Sequence, residues 1–259
     1  MSSSLRTKES TSSMNTSQIA SGDTMSSSTK AQRLSTHWAN EQSRILGHDI
    51  FSPPIAFGAG IEKHTQDIAV IEVDNGKIDP TTFPGNGINL GTKFKCPNPK
   101  NAYSFKYPLD SFLRLRGTII DDEMHKPAVY DENNIACIMV LKCGKASGLT
   151  VGCVNNVFSY TRRSYFEDDA SAIFKEWSIL PCDCESGPFP ASGDSSFVVV
   201  NGAGRIGGLV IGGCGKKDAL DISYVTPISF ILKVIHGNES LANVYPKEYP
   251  PDDDPDSGY

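Results

Sequence analysis

Nowhere in this 259-residue sequence is there an apolar run long enough for a bilayer-spanning helix, and no apolar signal-peptide core follows the first basic residues. A cytoplasmic protein with no membrane partner is the expectation. Positive charge is also scarce: 24 Lys and Arg against 30 Asp and Glu leave a net charge of −6. Phosphate binding needs clustered cations that release counterions, so the composition argues against nucleic acid as a partner. The seven cysteines (Cys96, Cys137, Cys143, Cys153, Cys182, Cys184 and Cys214) are an odd number scattered through apolar stretches, the pattern of reduced core thiols in an intracellular protein. Cys182 and Cys184 form a C-x-C with no second pair at zinc-ligand spacing, and the acidic DDDPD run lacks the spacing of a calcium loop. Neither a metal nor a cofactor is expected. Asn15 and Asn238 stand in N-x-S sequons that matter only in a secreted chain, and no internal repeat is evident.

What is present falls into five stretches. Sixteen of the first thirty residues are Ser or Thr, too polar to offset the entropy of ordering, so 1–30 is expected to be disordered. Over 31–46, Leu34, Trp38, Ile45 and Leu46 recur at roughly helical spacing among polar residues and predict one short amphipathic helix. From 47 onward the texture becomes short β-branched and aromatic runs punctuated by Gly, Pro and Asn, the pattern of an all-β barrel or sandwich. The predicted strands are HDIFS, DIAVIEVD, FLRLRGTII, ACIMVLKCG, LTVGCVNNVFSY, KEWSIL, SSFVVVNG, RIGGLVIGG and ISYVTP. After Pro227, ISFILKVIHG predicts a helix ending at Gly237, and the Pro-rich acidic tail, 237–259, is expected to be solvated and mobile.

Chemistry concentrates in SGPFPASGDSSFVVVNGAGRIGGLVIGG. Glycine, aspartate and serine just before a buried strand suit a nucleophile whose backbone forms an anion-binding loop, with Gly193 and Ser195 as N–H donors; glycine accepts a backbone conformation costly to other residues. An ordinary polar turn would read the same way. Gly202, Gly204 and Gly207 spell G-x-G-x-x-G, but the β-branched, glycine-rich LVIGGCG that follows suits a hairpin and not a dinucleotide-binding helix.

TQDIAVIEVD, with an aspartate opening an apolar strand, IMVLKCGKASGLTVGCV, with its basic residue and glycine turn, and ISYVTPISFIL, a last strand leading into a helix, join this segment in a fixed order. Together, over about residues 47–235, they resemble the chymotrypsin-like (trypsin-like) serine peptidases, nearest to bacterial-type and fungal trypsin-like proteins without the vertebrate zymogen N-terminus. The resemblance implies an all-β chymotrypsin-like double β-barrel with disordered termini. The second barrel would be complete over 104–236, and the first only partial over 47–103. It implies Ser195 as nucleophile, Gly193 and Ser195 as the oxyanion hole, and Asp67 as the carboxylate that orients the base, across one cleft from Ser195. Asp194 would be a buried structural acid paired with Lys142; a solvated lysine on a hairpin is the alternative. The family has glycine where this chain has Ser196. The specificity pocket would be built from 189–192, 212–215 and 223–226, with Phe189 where a tryptic enzyme has aspartate, so no preference for basic side chains is expected.

What the sequence lacks for this chemistry is histidine. The family order is His, Asp, Ser, and only His37, His48 and His64 precede Asp67. None is preceded by enough strand to sit at the end of a first barrel, so the catalytic histidine is unassigned. A serine hydroxyl is a weak nucleophile until a positioned base accepts its proton. The expectation is a peptidase homologue that is catalytically inactive. Two alternatives stay open: an active serine endopeptidase using an unrecognised or partner-supplied histidine, and a module that binds extended peptides in the peptidase cleft. No feature fixes an oligomeric state.

Overall fold

The computed structural model describes residues 36, 39–79, 81–83, 85–91, 108–130, 134–154, 156–163, 172–182, 187–214 and 222–238. The expected disordered start and acidic tail lie outside them, apart from 237 and 238. The chain divides into two units, 1–47 and 48–259. In the first, the described helix is α1 (Glu41–Arg44), one turn whose N-cap Asn40 accepts a hydrogen bond from the Gln42 N–H. The rest of the helix expected over 31–46 falls largely on residues that are not described.

The second unit is mostly β, organised around one closed six-stranded barrel with smaller sheets beside it. Its strands are β8 (Ala136–Gly144), β9 (Gly148–Val154), β11 (Ala172–Pro181), β12 (Val198–Asn201), β13 (Ile206–Cys214) and β14 (Ile222–Pro227). The antiparallel ring closes β8–β9–β11–β14–β13–β12–β8, which leaves no free edge among the six. Two short extensions run off it: β10 (Phe158–Arg163) on the first half of β11, and β7 (Val129–Tyr130) on the start of β8.

Alternation along the strands sorts side chains into two cores. On β8, Ile138 and Val140 face the barrel interior with Trp177, Ile179, Phe189, Val199, Val210 and Val225. Met139 and Leu141 face outward with Val200, Ile206 and the apolar side of α3 (Ile228–Asn238), namely Ile228, Ile231 and Ile235. The outer core also takes Ile68, Ile88, Leu90 and Leu113 from the first part of the chain.

That first part forms three two-stranded sheets. They pair β1 (Gly47–Phe51) with β4 (Val70–Val73), β2 (Ala56–Ala59) with β3 (His64–Gln66), and β5 (Gly87–Asn89) with β6 (Phe112–Arg114). The β5–β6 pair crosses the boundary read at 103/104, because Ile88 and Leu113 share the outer core. Other boundaries also shift. FLRLRGTII is a strand only as far as Arg114, since Gly117 turns the backbone to φ +72°. LTVGCVNNVFSY divides into β9 and β10. The expected strand DIAVIEVD begins at Val70, with Asp67 in the loop before it. The helix α2 (Asp121–His125), β2, β3, β5 and β7 were not among the predicted elements. Among the described residues, no helix is long and apolar enough to cross a membrane.

The G-x-G-x-x-G is a hairpin. Gly202 and Gly204 form the turn between the antiparallel β12 and β13, and Gly207 lies in β13, where a Cβ would stand 2.6 Å from the Trp177 ring. Gly204 has φ +75°, and a Cβ there would stand 2.1 Å from the Arg114 carbonyl oxygen. Its own carbonyl accepts the Arg116 N–H at 2.9 Å. Gly204→Ala is therefore expected to cost about 2–4 kcal/mol from strain and displaced backbone, read as a fall in thermal midpoint, whereas Gly76→Ala, where the space is open, costs about 1 kcal/mol. Equal losses at the two sites would contradict this account.

Candidate active site

The interior face of β8 continues past Val140 to Lys142 and Gly144, so alternation alone turns a lysine into the barrel. Lys142 is fully buried, and its Nζ lies 2.9 Å from Oδ2 of Asp194, which is equally buried. A buried charge this close is tolerable only if every lone pair and proton is used. Asp194 is well supplied: it accepts hydrogen bonds from Lys142, the Ser147 hydroxyl, and the N–H groups of Ala146 and Ala191, and Lys142 also donates to Ser147. Gly144 makes room for the carboxylate, since a Cβ there would lie 2.4 Å from its Cγ. Burial would raise the Asp194 carboxyl, but the hydrogen bonds from Ser147, Lys142, Ala191 and Ala146 prevail and hold it far below the usual carboxylate range.

This anchored acid sits inside the turn that carries Ser195. The Asp194 N–H donates to the Ala191 carbonyl, and the Ser196 N–H to Val210 O at 2.7 Å. The alternate N–H groups, those of Gly193 and Ser195, bond no described acceptor, and both residues are exposed. Gly193 has φ +99° and Ser196 φ +68°, so the turn keeps a left-handed backbone at both places although only one is glycine. Two N–H groups with no described acceptor thus lie beside the Ser195 hydroxyl in a turn pinned from within. Ser195 itself hydrogen-bonds no described residue.

The structure brings together Lys142, Gly193, Asp194 and Ser195. No described contact joins them to Asp67, which is exposed one residue beyond β3 and hydrogen-bonds no described residue. No described contact joins a histidine to Ser195. His64 is 5% exposed on β3, its Nδ1–H donating to the Lys175 carbonyl at 2.5 Å and its ring 5.3 Å from that of Phe230. His48 is exposed on β1 between Glu72 and Asp74, at 3.4 and 3.5 Å. His125 lies against Phe158, His236 is exposed in the last turn of α3, and His37 lies outside the described residues.

The expected pocket residue Phe189 is 1% exposed and belongs to the interior core, with its carbonyl accepting the Thr150 hydroxyl at 2.6 Å. A side chain sealed from solvent fills space and does not line an open pocket, which corrects that expectation. Ser223 and Thr226 on β14 are buried as well, and Gly215 lies outside the described residues. A cavity of about 320 Å³ opens at the other end of β12, lined in part by Glu123, Ile138, Met139, Asn201 and Arg205. No group of three His, Cys, Asp or Glu among the described residues is arranged to hold a metal ion. Cys184 of the C-x-C is not described. The buried Glu176 was missed by sequence reasoning: its Oε1 accepts the Thr65 N–H at 2.7 Å, while Oε2 has no hydrogen-bond partner. A glutamate next to Trp177 inside the predicted strand KEWSIL is its only sequence signal.

No protein-family model and no curated protein sequence matches the chain. Solved structures with some likeness include a chymotrypsin from Cellulomonas bogoriensis, at 15% identity and a TM-score of 0.32, covering 48% of this chain and 53% of that one. Another is a glutamic-acid-specific serine protease described as using a histidine triad in substrate binding. It has 14% identity and a TM-score of 0.40, covering 76% of this chain and 74% of that one. The chain thus spans about half the length of the first.

Lys142→Ala leaves the carboxylate buried without its cation, and a loss of about 3–5 kcal/mol in stability is expected by denaturant unfolding, against less than 1 for the exposed Lys145. Equal effects would remove the pair from its central place. Acid should reveal the same group. Because the folded carboxyl is depressed, its stabilisation is complete above the unfolded value of about 4 and is lost as pH falls through the folded value. Thermal midpoints from pH 7 down to 2 should therefore fall more steeply in the parent than in Asp194→Asn, which starts lower. Parallel curves would count against the assignment.

Proposed function

We propose that this chain is a chymotrypsin-like serine peptidase homologue that keeps the anion-binding turn and the serine of that family and has no base for that serine among the described residues. One observation carries the reading: a fully buried Lys142–Asp194 pair anchors a turn in which the N–H groups of Gly193 and Ser195 are left unspent beside an exposed Ser195 hydroxyl. An ordinary polar turn does not require a buried charge pair beneath it. The segment order IMVLKCGKASGLTVGCV, SGDSSFVVVNG and ISYVTPISFIL supports the same family.

The chemistry that remains follows from what stands near Ser195. Acylation needs the serine proton removed as the oxygen attacks, and a general base must be within hydrogen-bonding reach to take it. His64 offers its Nδ1–H to a carbonyl and packs its ring on Phe230; His48 lies between two carboxylates. Asp67 has no described imidazole to orient. Loss of the base alone typically removes on the order of a millionfold in turnover and leaves what the anion site and binding supply. The reading is thus of an inactive homologue, able to hold an extended peptide or protein segment without cleaving it.

The test is labelling of the purified chain with a fluorophosphonate. No labelling above an Ser195→Ala control and no peptide hydrolysis above background are expected. Stoichiometric labelling abolished by Ser195→Ala would overturn the inactive reading, and repeating the assay with His37→Ala, His48→Ala and His64→Ala would identify the base.

A further inference from the structure

Two of the seven cysteines meet in the fold. Cys153 on β9 and Cys182, one residue beyond β11, have their Sγ atoms 3.4 Å apart, and both side chains are half-buried. The register explains the meeting: Leu180 lies opposite Cys153 and Pro181 opposite Gly152, so Cys182 is the diagonal neighbour of Cys153 on the same face. The sulfurs are already in contact, and closing from 3.4 Å to the roughly 2 Å of a disulfide bond takes side-chain rotation with some drawing together of this diagonal pair.

We propose that Cys153 and Cys182 are a modification site, a dithiol that closes to an intramolecular disulfide by exchange with a low-molecular-weight disulfide such as glutathione disulfide. One cysteine thiolate attacks a glutathione sulfur, breaking that S–S bond and releasing the first glutathione thiol. The second cysteine thiolate then attacks the protein sulfur of the mixed disulfide and displaces the other. Both cysteines are oxidised, the glutathione disulfide is reduced by two electrons, and the two protons end on the two glutathione thiols. Half-burial matters here, because the first attack needs access from solvent.

The crosslink would tie the end of β11 to β9 beside Gly152, where the absent Cβ leaves room for Ile179 and Phe189. Phe189 is also held to β9 through Thr150 and leads in two residues to Ala191, whose N–H binds Asp194. The disulfide therefore constrains the approach to the Ser195 turn, yet its formation does not depend on any peptidase reading.

The experiment uses the full chain, reduced, equilibrated in glutathione redox buffers, quenched with iodoacetamide and digested by trypsin without reduction. A linked peptide joining 146–162 to 176–205, lighter by two hydrogens than the separate peptides, is expected; Cys153→Ser and Cys182→Ser abolish it and Cys184→Ser retains it. The thermal midpoint of the parent should rise by about 5–10 °C on oxidation and stay unchanged in the first two variants. The proposal is overturned by a linked peptide that survives Cys182→Ser, by a stable glutathione adduct on either thiol, or by alkylation of both cysteines under oxidising buffer.

Discussion

Lys142 and Asp194 impose one constraint on much of the second unit. Two charges taken out of water are tolerable only when each is fully paired, and that requirement reaches well beyond the pair. It needs β8 in the register that turns Lys142 inward behind Val140, a glycine at 144 to admit the carboxylate, and the β8–β9 turn to present Ser147 and Ala146. It also needs the 191–196 turn to fold back until Ala191 donates to the same carboxylate. Ser195 is exposed beside unspent N–H groups because its neighbour on the N-terminal side is drawn into the barrel.

The same logic operates on the outer face of the barrel with another outcome. The β2–β3 hairpin lies across β11 and β14, where the Thr65 N–H binds Glu176, Thr226 binds the Thr65 carbonyl, and the Lys175 N–H binds the Lys63 carbonyl. His64 enters this seam and gives its Nδ1 proton to Lys175, with Phe230 of α3 against its ring. Its Nδ1 proton is spent on the Lys175 carbonyl, and no described contact joins the ring to Ser195.

Much was determined by the sequence alone. β-branched and aromatic runs bounded by turn residues marked β1 and the strands of the barrel, with β9 and β10 run together, and also the helix after Pro227 and the hairpin at Gly202 and Gly204, because those signals depend on near neighbours in the chain. The turn around Ser195 was legible for the same reason: glycine, acid and serine before a valine run constrain the backbone locally. Tertiary structure decided the rest. Whether Lys142 is a solvated hairpin residue or a buried cation depends on which face of β8 turns inward, and the closed barrel sets that. Phe189 reads as a pocket wall and is core, buried in the same cluster as Trp177, Val199 and Val225 from three other strands. Glu176, His64 and the Cys153–Cys182 contact are invisible along the chain because their partners are remote in sequence. The contacts of Glu176 and His64 span 111 residues and arise where the β2–β3 hairpin packs on β11, and the cysteine pair spans 29 and arises where β9 pairs with β11.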